Sequence, residues 1–342
     1  RFIVFMAVLL LLIGIGLFQN KERISALAAS AFAEDAAIEG KAAKVNEACD
    51  DKSRLQGAGK LACYSKEFQH TAYENGPDYA FKVLFALQKK DSAARTCHLI
   101  AHGIGWGAYE RNPADWRSLI ASINPACVYG GIHGVLEQYA SDLPEGRLTK
   151  KVMTDACSSN PSPACIHAVG HLATVEAQDD MDSAIELCST FPQAKRQRHY
   201  CLTGAFMEHM IADNLDQHGL YPQSRRQEWY KLIDEFEKLC RSYEGENATA
   251  CWTEIIHASS IKFRGDAKAV FDLCNTAQVE EGAKLCKRHA ITELISRHDY
   301  NITSLKYACA LERQNDAEFE RDCYINLAML ALFHSPKEAV HV

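Results

Sequence analysis

Cysteine spacing constrains this chain more than any other feature. One set of cysteines closes helical runs: Cys49 in AAKVNEAC, Cys157 in VMTDAC, Cys188 in SAIELC, Cys240 in FEKLC, Cys274 in AVFDLC and Cys309 in LKYAC. A second set opens the next run after a short polar loop: Cys63, Cys165, Cys201, Cys251, Cys286 and Cys323. Separations within these pairs are 14, 8, 13, 11, 12 and 14 residues. With Cys97 and Cys127 counted as opening cysteines, successive openings fall 34, 30, 38, 36, 50, 35 and 37 residues apart. A period of about 36 residues is the length of one antiparallel helix pair with its turns. Apolar residues in the closing runs recur at helical spacing, as in Ala267, Val270, Phe271 and Cys274. Asp179, Asp180, Asp266 and Ser335 stand where helix N-caps belong, the last followed by Pro336. No alternating strand pattern competes. The expected fold is all-α, a disulfide-stapled α-solenoid of helical hairpins.

Each pair has a mechanical role in that fold. A loop of about ten residues brings the ends of a closing and an opening helix within bridging distance. Each bridge then contributes about 2–3 kcal/mol by restricting the unfolded chain. Cys97 and Cys127 have lost their closing partners, and either pair with each other across neighbouring repeats or remain as two thiols. The 14 cysteines contain no Cys-x-x-Cys, which removes zinc knuckles, thioredoxin-type motifs and c-type haem attachment. Spaced cysteines in even number point to an oxidising compartment.

The stretches TDACSSNPSPACIHAVGHL and IELCSTFPQAKRQRHYCLTGAF, with Gly170 and Gly204 in their small-residue regions, give the repeat a recognisable form. It resembles the cysteine-rich, secreted members of the Sel1-like branch of the tetratricopeptide superfamily, over residues 34 to 342. The likeness is architectural, because the Leu-Gly-x-Leu-Tyr opening and the glycine turn between paired helices are missing. It implies a right-handed α-solenoid used for protein contacts, and it carries no catalytic residues.

The N-terminus fits an exported chain. Phe2 to Phe18 is an uncharged apolar run of 17 residues, followed by Lys21, Glu22 and Arg23. That length is at the short end for a membrane span. Ala31-Phe32-Ala33 would serve as a signal-peptide cleavage site, but it lies 15 residues beyond the apolar run with charges between. The expectation is an uncleaved anchor over residues 1–20, a linker over 21–33 and an extracytoplasmic solenoid of about eight helix pairs over 34–342. This places the protein in the inner (cytoplasmic) membrane as a single-pass protein with its bulk on the periplasmic side. Gly14 and Gly16 suit packing against other membrane helices.

Histidines gather on the opening helices. His98 and His102 form an i, i+4 pair, as do His167 and His171, and each pair faces one way on a helix. His133 and Glu137 share that spacing. Six residues beyond the opening cysteines, the column reads Gly103, His133, His171, Met207, His257, Thr292 and Met329. Equivalent positions of a helical repeat stack along one face. His98, His102, His133, Glu137, His167, His171, Glu208 and His209 could therefore supply three or four ligands to a copper or zinc ion. The plainer reading is that duplication copied hydrogen-bonded core histidines, with the neighbouring glycines serving helix packing. A His/Glu acid–base pair is a third.

No catalytic signature accompanies them: there is no G-x-S-x-G, H-E-x-x-H, P-loop or dinucleotide fingerprint. A formal charge of −7 and the lack of any basic run argue against nucleic acid. The sequence thus points first to a scaffold or accessory subunit of a membrane or envelope complex. Trp106, Tyr109, Trp116 and Tyr129 read first as core residues, and otherwise as contact residues for protein partners in a solenoid groove. The alternative is a copper- or zinc-binding protein or metalloenzyme that uses the histidine cluster.

Overall fold

The computed structural model describes residues 33–50, 58–95, 97–127, 129–143, 149–158, 161–192, 196–210, 233–263, 266–297, 302–311 and 317–334. Helices account for nearly all of them. In chain order they are α1 (33–50), α2 (Ala58–Asn75), α3 (Pro77–Gln88), α4 (His98–Arg111), α5 (Trp116–Ser122) and α6 (Gly130–Ser141). Next come α7 (Lys150–Ala156), α8 (Pro163–Glu176), α9 (Met181–Cys188), α10 (Gln197–Met210) and α11 (Ile233–Ser242). The last are α12 (Gly245–Phe263), α13 (Ala267–Asn275), α14 (Glu280–Arg297), α15 (Ile302–Leu311) and α16 (Ala317–His334).

Short-range chemistry sets the helix starts. Asp180 accepts from the Ser183 amide at the head of α9, and Asp266 accepts from Ala269 at the head of α13, as their positions predict. Thr149 caps α7, and Ser162 caps α8 with Pro163 at the first position. The expected cap at Ser335 and the apolar run 2–18 lie outside the described residues. Among the described residues, no helix is long and apolar enough to cross a membrane.

Even-numbered helices form the interior. Each packs on the next, from α2 on α4 through α14 on α16. The helix α8 shows the consequence: it buries Cys165, Ile166, Ala168, Val169, Leu172 and Ala173 around much of its circumference. Odd-numbered helices cover this row, with α9 against both α8 and α10, α11 against α12, and α13 against α14. The cover helices bury one stripe, such as Phe236 and Cys240 of α11.

All 14 cysteines are paired. Cys49–Cys63, Cys157–Cys165, Cys188–Cys201, Cys240–Cys251, Cys274–Cys286 and Cys309–Cys323 each staple a cover helix or its end to the following interior helix. The two odd cysteines resolve as a seventh bridge, Cys97–Cys127, which joins the starts of consecutive interior helices 30 residues apart. Their Cα atoms are 5.3 Å apart, inside the usual range.

Several interior helices touch backbone to backbone at glycine. A Cβ on Gly105 of α4 would lie 2.2 Å from the Gly131 carbonyl oxygen of α6. On Gly134 of α6 it would lie 2.0 Å from the His102 carbonyl oxygen, and on Gly204 of α10, 1.8 Å from that of His167. No side chain fits those contacts. The glycines beside the histidines thus serve close helix packing.

Peptide mapping of the unreduced protein should recover the Cys97–Cys127 link together with the six local ones. Replacing both residues by serine should lower stability by about 3–4 kcal/mol in denaturant titrations, the entropy expected for a loop of this length. A change below about 1 kcal/mol would contradict a structural role for that bridge.

Candidate metal centre

Five imidazoles converge where α4, α6 and α8 run side by side. His98 and His102 come from one i, i+4 pair and His167 and His171 from the other, with His133 of α6 between them. The His133 ring centroid lies 4.9 Å from His98, 5.2 Å from His102, 5.6 Å from His167 and 5.0 Å from His171. One ligating atom from each of His98, His102 and His133 fits within a 4.8 Å span, and so does one from each of His133, His167 and His171. His133 belongs to both triads. His102, His133 and His171 are almost fully buried.

Hydrogen-bond partners assign the tautomers. His98 Nδ1 is 3.0 Å from the Cys127 carbonyl oxygen, which can only accept, so that nitrogen carries the proton. Cys127 holds this carbonyl in place with a left-handed backbone (φ 59°) and with its bridge to Cys97. His102 Nδ1 lies 2.9 and 3.0 Å from the two oxygens of Glu137, whose Oε2 also takes the Trp106 indole N–H at 2.8 Å. A carboxylate that gathers two donors is an acceptor, so His102 also carries its proton on Nδ1. With both rings neutral, the two Nε2 atoms present lone pairs to each other at 3.1 Å, whereas a second proton on His102, beside the Glu137 carboxylate, would make the contact a hydrogen bond. Opposed lone pairs repel unless a cation or a proton lies between them. With metal–nitrogen bonds of 2.0–2.1 Å, a tetrahedral site spaces its ligand nitrogens by about 3.3 Å.

The second triad is built the same way one repeat further on. His171 Nδ1 donates to Glu208 Oε2 at 2.6 Å, as His102 does to Glu137. His167 Nδ1 is 3.0 Å from Thr203 Oγ1, whose own proton goes to the Tyr200 carbonyl at 2.8 Å. In the Nδ1–H tautomer, His167 turns its Nε2 lone pair to Met207 Sδ, 3.3 Å away, a contact between two acceptors. Carboxylates and carbonyls behind the rings fix tautomer and orientation, as the outer partners of metal-bound histidines do.

Burial, reinforced by the other four imidazoles, holds His133 far below the usual histidine range. His167 is pushed down to about 3, first by burial and then by His171. Both rings are neutral at physiological pH, the form that binds metal. His133 Nδ1 is buried and makes no hydrogen bond.

Of the residues expected from sequence, His98, His102, His133, His167 and His171 come together. Glu137 and Glu208 stand behind His102 and His171 as acceptors. His209 is directed elsewhere: its Nδ1 bonds Asp179 Oδ1 at 2.6 Å, and its ring rests on Phe236. Asp179 accordingly serves His209 while Asp180 caps α9. The i, i+4 spacing flagged the ring pairs, but nothing in it separates a ligand from an acceptor behind one. Trp106, Thr203 and the Cys127 carbonyl were missed as orienting groups, because they approach from neighbouring helices. Glu254 and His289, which meet His257 on α12 and α14, were missed as well.

No protein-family model matches the chain, and no curated protein or solved structure shows significant similarity to it.

Gly134→Ala should cost about 2 kcal/mol or more by forcing α6 off the His102 carbonyl, and it should weaken uptake of copper or zinc. Unchanged metal affinity would show that the α4–α6 approach does not set the ring geometry. In the metal-free protein, unfolded histidines take up protons near pH 6.5, whereas His167 in the fold does so only at about 3. Its stabilising effect is therefore complete above about pH 6.5 and is lost as the pH falls toward 3. Urea midpoints of chelator-treated protein should fall between pH 7.5 and 4.5, and fall less when His133 and His167 are both replaced by alanine. Equal pH dependence in the two proteins would contradict this assignment.

Proposed function

We propose that this chain is a metal-binding helical-repeat protein of an oxidising compartment, which holds copper or zinc among His98, His102, His133, His167 and His171. The observation that carries the reading is the 3.1 Å contact between the Nε2 atoms of His98 and His102, both of which already use Nδ1 as donor. With both rings neutral they present acceptors to each other, an arrangement that a shared cation relieves. The Met207 thioether beside His167 favours copper, the softer ion. Seven disulfides support an extracytoplasmic setting. In this reading the helix pairs continue as an α-solenoid of the cysteine-rich Sel1-like type. Residues 2–18 tether it to the inner membrane, with the bulk of the chain on the periplasmic side.

A second reading keeps the scaffold role and rests on the exposed apolar face near the chain's last helices. Ile325 and Met329 are one turn apart on α16 and 51% and 54% exposed, and Tyr307 on α15 is 67% exposed. Envelope subunits that co-purify with the detergent-solubilised protein, and are lost in an Ile325→Glu, Met329→Glu variant, would support it. A protein that migrates alone would count against it.

Elemental analysis after purification without chelators should find at least one equivalent of copper or zinc per chain. That metal should be lost in His133→Ala, which breaks both triads. Glu137→Gln should retain the metal with affinity reduced by about 10- to 100-fold. A natively purified protein that contains no transition metal and takes up none on titration would overturn the reading.

A further inference from the structure

Further along the interior row, α12 and α14 bring together a second set of ligand-type side chains that is separate from the five histidines. Glu254 Oε2 lies 3.2 Å from His257 Nε2 and 3.6 Å from His289 Nδ1, and the two rings are 4.9 Å apart. One ligating atom from each of the three fits within a 4.8 Å span. Glu254 is 2% exposed, and its Oε2 is buried without a hydrogen bond of acceptable geometry. A carboxylate oxygen withdrawn from water and left in that state is costly unless a positive charge meets it.

His289 Nδ1 also lies 3.3 Å from the Thr253 carbonyl oxygen, which holds the ring beside Glu254. His257 and His289 keep 11% and 27% of their side-chain surface, so the group lies nearer the protein surface than His133 does.

We infer that Glu254, His257 and His289 form a second metal site, which binds a divalent cation such as zinc through two nitrogens and one oxygen and leaves a position open to water. The donor set differs from that of the first centre. Two imidazoles and a carboxylate suit a borderline divalent ion, and three protein ligands with an open position are the arrangement in which zinc-bound water becomes acidic. The five-histidine centre offers nitrogen and thioether with its rings more deeply buried, which suits retention of an ion. The Glu254 site suits exchange, or activation of a bound water.

The test is zinc titration of the full-length, chelator-stripped, disulfide-intact protein, followed by isothermal calorimetry and elemental analysis. Glu254→Gln and His289→Gln should each bind one equivalent fewer than wild type, with the helical circular dichroism unchanged. The zinc lost in His133→Ala should stay bound in both variants. If His133→Ala loses nothing while Glu254→Gln loses one equivalent, the first centre fails and this site stands. Anomalous diffraction at the zinc edge from wild-type crystals soaked in zinc gives a readout that needs no variant. A peak within about 2.3 Å of Glu254 and one ring nitrogen of each histidine is expected. Variants that bind the same number of ions as wild type, or wild-type crystals without a peak there, would overturn the inference.

Discussion

Glycine at positions 105, 134, 170 and 204 lets the backbones of consecutive interior helices meet where any Cβ would hold them apart. The rest of the candidate centre depends on that contact. Where α4 and α6 touch at Gly134 and the His102 carbonyl, the rings of His98, His102 and His133 lie against one another, with centroids 4.8 to 5.2 Å apart. The same holds for α8 and α10, where Gly204 meets the His167 carbonyl and the His171 ring reaches Glu208. Disulfides hold the register: Cys97–Cys127 joins the starts of α4 and α6, and Cys188–Cys201 ties α9 to α10.

The same chemistry occurs twice along the row of interior helices. His102 reaches Glu137, 35 residues on, and His171 reaches Glu208, 37 residues on. His98 and His167 are likewise each held at Nδ1 by an acceptor one repeat further along, a carbonyl in the first case and a threonine hydroxyl in the second. The outcome is two similar half-sites on either side of His133, each with its ring protons turned outward and its lone pairs inward. With neutral rings in the Nδ1–H tautomer, acceptors point at each other twice, at His98–His102 and at His167–Met207.

Much of the fold could be read from the chain because its signals are local. Cysteines at 8 to 14 residues identified six bridges, and the alternation of closing and opening runs identified the helix pairs. The seventh bridge was harder, since its 30-residue spacing matches the distance between neighbouring repeats and admits free thiols equally well. Within the candidate site, the i, i+4 pairs and His133 were visible as ring positions. The direction of each ring was not, because it is set by groups from other helices: the Cys127 carbonyl, Trp106 and Thr203. His209 shows the limit. It sits next to Glu208 in sequence, yet helical rotation turns it toward Asp179 and Phe236. The Glu254 group escaped notice for the same reason, because Glu254 and His289 each stand only three residues beyond their opening cysteines, off the column in which the other histidines align.

The central claim is that His98 and His102 aim unprotonated Nε2 atoms at a shared cation, and the protonation pattern of those two rings tests it most directly. Nitrogen-15 NMR of the histidine-labelled, natively purified protein reads each ring nitrogen as protonated, free or metal-bound. The account predicts Nδ1–H in both rings, with Nε2 shifts typical of metal coordination that revert on chelation. An imidazolium at either position, or a proton on either Nε2, would show that an ordinary hydrogen bond bridges the 3.1 Å contact and would contradict the metal centre.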